Sequence, residues 1–208
     1  MKLLFYIIAL IWTIFSCSNA AGQNQILNSQ KNISLVIPTD SSTLYFPSQM
    51  KPFLNSWYSN MLFALHEPIL STYSGNQEIF RFTWLRTFHK PVAIRIQKNG
   101  DTISLTTKVS SGAGGYSPGQ IIVDTTFTIS LEQWQEFIKK FNAINFENFP
   151  PMEEKMRGTD GSEWILESMS NIKYHFATRW MARYDNYGRC CAYLLKLSQL
   201  KIPKDEQY

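Results

Sequence analysis

The sequence predicts an α+β fold, an antiparallel sheet of about six strands with three helices packed on one face, in the order α-β-β-β-β-α-β-β-α. Three observations carry that expectation. A block between residues 79 and 129 is rich in β-branched and aromatic residues, alternates apolar with polar, and is punctuated by Lys90-Pro91 and Asn99-Gly100. Stretches before and after it repeat apolar residues at helical spacing. Strand candidates run together instead of alternating with helices, and the connections are short, which favours antiparallel neighbours over βαβ units.

In chain order, Phe53, Leu54, Trp57, Tyr58, Met61, Leu62 and Leu65 mark the first helix, which Pro52 starts and Pro68 stops. Strands are expected near 79–88, 91–98, 102–110 and 120–129, each pairing with the next. Asn99-Gly100 between two apolar runs is a strong short-range hairpin signal. Ser130 with Gln133 three residues on forms a capping box, and Leu131, Trp134, Phe137, Ile138 and Phe141 follow at helical spacing. "SEWILESM" and "KYHFATRWM" flank Ser170-Asn171-Ile172 as another hairpin, and "NYGRCCAYLLKLSQL" is a helix that ends before Pro203.

The N-terminus points to export. Met1-Lys2 precedes thirteen uncharged residues, "LLFYIIALIWTIF", the length of a signal-peptide core and too short to span a bilayer. Two processing signals compete. Ile14-Phe15-Ser16-Cys17 is similar to the lipobox of bacterial lipoproteins, with Cys17 as the lipidated residue; Ser18-Asn19-Ala20 would instead be cut after Ala20. The expected organisation is a signal peptide over 1–16, a polar tether and extended segment over 17–50, one α+β domain over 51–203, and a tail over 204–208. If Cys17 is the anchor, the following Ser18 implies the outer membrane; otherwise the protein is soluble and periplasmic or secreted.

With 17% charged residues, 44% hydrophobic residues and a net charge of +4, the chain is of the globular kind. Its basic residues form no run that would track a nucleic-acid backbone, so no nucleic-acid partner is expected. Cys190 and Cys191 are adjacent, which suits neither a disulfide nor a metal pair, and they read as buried thiols. His66, His89 and His175 stand singly, so neither a metal nor another cofactor is expected.

Chemistry could reside in two places. "SSGAGGYSPGQ" offers Gly112, Gly114, Gly115 and Tyr116 as candidate ligand-binding residues. A phosphate loop precedes a helix, however, and this one precedes a strand without a Walker Lys-Ser/Thr, so it reads as a wide hairpin whose glycines supply positive φ. The other place combines polar and aromatic residues: Arg86 and His89 from the first strand region, His175 and Arg179 from the last. An Arg among aromatics either stacks and pairs with a buried carboxylate, Glu67 or Glu167 in the case of Arg86, or binds an anion.

"RFTWLRTFHKPVAIRI", "SSGAGGYSPGQ" and "DGSEWILESMSNIKYHF" followed by "RW" resemble segments of a family of uncharacterised bacterial proteins, several of them exported. The resemblance covers residues 52–200 and implies no activity that could be carried over. It departs at Ala177-Thr178, where an acidic residue is expected. Three functional expectations follow from all this. The first is a non-catalytic binding or interaction module of the cell envelope, held at the membrane by a lipid on Cys17 and taking a protein partner or small ligand. The alternatives are a hydrolase of envelope material, with His89 or His175 as general base and Arg86 or Arg179 holding an anion, and an immunity or inhibitor protein.

Overall fold

The computed structural model describes residues 34–153, 158–182 and 184–208. The expected leader, both candidate processing signals and Cys17 lie outside the described residues. Helix α1 (Pro52–Ala64) is followed by strands β1 (Glu78–Arg86), β2 (Val92–Asn99), β3 (Thr102–Ser110) and β4 (Ile121–Thr128). Then come α2 (Leu131–Asn142), β5 (Ser162–Ser170), β6 (Lys173–Trp180) and α3 (Asn186–Leu197), with short 3-10 turns at Phe146–Asn148 and Lys204–Glu206. The α+β class, the six antiparallel strands and the element order are those the sequence predicts.

The sheet order is β4-β3-β2-β1-β5-β6. Four strands form a meander, and β5 returns to pair antiparallel with β1, with Phe82 opposite Leu166 and Trp84 opposite Trp164. At the β2–β3 turn Asn99 pairs with Thr102 and Gly100 takes φ +58°, the left-handed value that favours glycine. Ser130 caps α2 as expected: its side chain accepts from the Gln133 amide, and the Gln133 side chain accepts from the Ser130 amide.

The expectation that all three helices share one face is corrected. Even-numbered β1 residues Phe80, Phe82 and Trp84 face α2 and α3, packing with Trp134, Phe137, Tyr187, Cys190 and Leu194. On the other face, Leu85 and Ile165 meet α1 through Leu54, Tyr58, Met61 and Leu62. Strand periodicity requires this. Nearly every residue of β1 is buried on alternating faces, so an uncovered face would expose half of them. The α1 face also buries Tyr45, Phe46 and Met50, which precede the helix. No described helix is long and apolar enough to cross a membrane.

Between α1 and the sheet lies a buried ionic network. Arg81 forks onto Glu167, with Nε to Oε2 at 2.7 Å and Nη2 to Oε1 at 2.7 Å, and its Nη1 reaches the Pro68 carbonyl at 2.7 Å. Glu67 receives Arg81 at 3.4 Å, Arg95 at 3.0 Å and Lys108 at 3.5 Å. The carboxylates suggested as partners of Arg86 therefore belong to Arg81, on the opposite face from Arg86.

Candidate functional site

The site lies where the end of β1, the β3–β4 connection and the segment after α3 meet. The β3–β4 connection is the glycine stretch, and it extends the hairpin ladder: Ser111 donates to Gln120, Gly112 to Pro118 and Ala113 to Ser117. Its inner turn then lies against the end of β1. Gly114 donates to the His89 carbonyl at 2.9 Å and Gly115 to the Thr87 carbonyl at 3.1 Å, while the Trp57 indole of α1 donates to the Gly114 carbonyl at 2.8 Å. These amides already have carbonyl partners, so the loop presents no ready cradle for a phosphate.

The reason for the glycines is also corrected. Of the glycines in this stretch only Gly119 has positive φ, at +69°. The others permit close approach. A Cβ on Gly114 would sit 2.7 Å from the Arg86 carbonyl oxygen and one on Gly115 2.9 Å from that of Thr87. Tyr116 is exposed and stacks on the exposed ring of Phe88, with centroids 6.1 Å apart.

Arg86 closes β1 with only 1% of its surface exposed. Its guanidinium lies over the Trp84 ring, 4.4 Å from the centroid. Nη2 donates to the Lys90 carbonyl at 3.0 Å, and Nη1 donates to the Glu206 carbonyl at 3.0 Å and to its carboxylate at 3.1 Å. The Nε hydrogen has no partner among the described residues. Burial lowers the Arg86 pKa from its ordinary value, and the Glu206 carboxylate offsets part of that effect.

A cleft of about 470 Å³ opens beside Arg86. His89, Lys90, Lys201 and Glu206 supply its titratable groups besides Arg86; Val109, Ile122, Val123, Leu200 and Ile202 supply apolar walls, and Gly112 forms part of the rim. Across the segment Pro203–Tyr208 a second cavity of about 290 Å³ is lined by Phe88, His89, Asp160, Gly161, Met181 and Tyr208. The Tyr208 hydroxyl lies 2.6 Å from His89 Nδ1. A main-chain oxygen of Tyr208 accepts from Trp84 Nε1 at 3.1 Å and from the Ser162 hydroxyl.

The structure thus brings Arg86, His89 and Gly112 together and leaves His175 and Arg179 apart from them. His175 Nε2 lies 2.9 Å from the Phe149 carbonyl. Arg179 donates to the Thr178 and Pro150 carbonyls at 2.7 and 2.8 Å and stacks 4.0 Å from the Phe149 centroid. Both residues bind the segment around Phe149 and Pro150 to the outer edge of β6, where Thr178 donates its amide to Pro151 at 2.8 Å. The sequence also hid the contribution of the last residues, read as a tail: Glu206 and Tyr208 meet the site through contacts spanning about 120 positions. Among the described residues, no three His, Cys, Asp or Glu side chains are grouped to hold a metal ion. No protein-family model matches the chain, and no curated protein matches it.

Proposed function

We propose that this domain is a non-catalytic binding module of the bacterial cell envelope, and that its cleft takes an anionic ligand on Arg86. One observation carries the ligand class: the Arg86 guanidinium, stacked on Trp84, lines an open cleft together with two further cations, Lys90 and Lys201. A carboxylate or phosphate on a guanidinium makes charge-assisted hydrogen bonds about twice as strong as neutral ones. Glu206 is the only carboxylate among the cleft's described lining residues, and it is on Arg86. There it leaves His89 without a cleft carboxylate to orient it as a general base, which favours binding over hydrolysis.

Titration calorimetry of the protein against citrate, acetate and inorganic phosphate tests this reading. At least one should bind, and Arg86→Met should remove that binding while the protein stays folded by circular dichroism. Binding unchanged in Arg86→Met would refute the assignment. Envelope placement is tested separately: with Cys17 lipidated, the protein fractionates with membranes and Cys17→Ser releases it, whereas cleavage after Ala20 makes both forms soluble.

A further inference from the structure

We propose that the segment Pro203–Tyr208 is an internal occupant of a peptide groove, and that an acidic, aromatic stretch of a partner protein binds there in its place. This rests on the reading of Arg86 as a ligand-binding cation and adds the class of ligand. The segment is held as a bound peptide is held. Its 3-10 turn, Lys204–Glu206, contributes no buried residue. Its acceptors meet side-chain donors of the sheet: Arg86 takes the carbonyl and carboxylate of Glu206, and Trp84 and Ser162 take a main-chain oxygen of Tyr208. The Tyr208 ring lies edge-on to His89, with centroids 5.4 Å apart. Main-chain acceptors on fixed donors, with side chains in flanking pockets, is the physics of peptide recognition.

Two features mark the occupant as replaceable. The segment forms a partition, because the cavities of about 470 and 290 Å³ share Phe88 and His89, the first walled by Pro203 and Glu206 of the segment and the second by its Tyr208. Removing the partition joins them into one groove, with the exposed ring of Phe88 lining both parts. Glu206 also uses Arg86 incompletely. Its carboxylate reaches Nη1 alone and leaves Nε unpartnered, whereas a carboxylate arriving across Nε and Nη would make the stronger two-point contact.

The test uses an acetylated and amidated peptide, Lys-Asp-Glu-Gln-Tyr, the chain's own residues 204–208, with a fluorophore on its lysine. Anisotropy is read against the intact chain, the chain ending at Pro203, and an intact-length chain carrying Glu206→Gln and Tyr208→Phe. The expectation is that the shortened chain binds the peptide at least about tenfold more tightly than the intact chain, because an occupied groove lowers apparent affinity by its free fraction. The double variant should shift in the same direction, which preserves the test if the shortened chain does not fold. Arg86→Met in either background should abolish the gain. Equal affinity for the intact and double-variant chains, or no binding to the double variant, overturns the proposal. If citrate still binds the intact chain through Arg86 in that case, the anion cleft survives without the peptide; if neither probe binds, both readings fall.

Discussion

Gly114 shows how one missing side chain sets the geometry around Arg86. Its amide and carbonyl join the end of β1 to α1, and a Cβ there would sit 2.7–2.8 Å from the Arg86 main-chain nitrogen and oxygen, which are fixed in the sheet. Gly114→Ala should therefore cost about 1–3 kcal/mol, the usual range for forcing atoms into a filled site, read as a lower urea midpoint. A variant as stable as the parent would mean that the loop shifts freely. The paired cysteines give a different kind of expectation. Burial raises the Cys190 pKa to about 12 and places that of Cys191 well above its ordinary value, so neither supplies thiolate near neutral pH. Neither should be alkylated by iodoacetamide in the native protein, and both should be in urea, as read by peptide mass spectrometry. Rapid native labelling would show that α3 opens.

The β5–β6 hairpin carries a residue poorly suited to its position. Its two tip residues, Asn171 and Ile172, have φ of +51° and +60°, the pair of left-handed values that a two-residue turn of this hand demands. Asn accepts such a value readily, but a β-branched residue does not. Ile172 is also 66% exposed, so little burial is lost by removing it. Ile172→Gly should raise stability by roughly 0.5–1 kcal/mol, seen as a higher thermal midpoint; a lower midpoint would mean that the side chain makes contacts that outweigh the strain. Elements of this kind were legible because their determinants are local: Asn99-Gly100 makes its hairpin and Ser130 with Gln133 starts its helix, each within a few residues. What was not legible depends on distant partners. Nothing near Arg81 announces Glu167, 86 positions away, and the periodicity of α1 shows that it has a buried side without showing which face of the sheet receives it. The same holds for the site. Arg86 stood out by its aromatic neighbours, yet Glu206 and Tyr208, which define the groove with it, lie in a short polar stretch with no periodic signal.

The ionic network between α1 and the sheet ties the fold together, since Arg81, Arg95, Lys108 and Glu167 come from β1, β2, β3 and β5 and Glu67 from the turn after α1. Each charge was taken out of water, so the loss of one partner leaves others uncompensated. Glu67→Gln should cost about 3–5 kcal/mol at neutral pH. Its pH dependence has a definite sign. Burial alone would raise the Glu67 pKa, but the charges of Arg95, Arg81 and Lys108 outweigh it and hold the carboxyl below its ordinary value of 4.5. A carboxyl that is more acidic folded than unfolded binds more protons in the unfolded chain as pH falls. Its stabilisation is therefore complete above about pH 4.5 and is lost as pH drops through the folded pKa. Urea midpoints of the parent and Glu67→Gln, measured from about pH 7 down to about pH 3, should differ by a constant amount until about pH 5 and then converge. The parent approaches the variant because protonation performs on Glu67 what the substitution did. A gap that stays constant to the acid end would mean that Glu67 is not titrating with folding, and that acid unfolding has its source in other carboxylates.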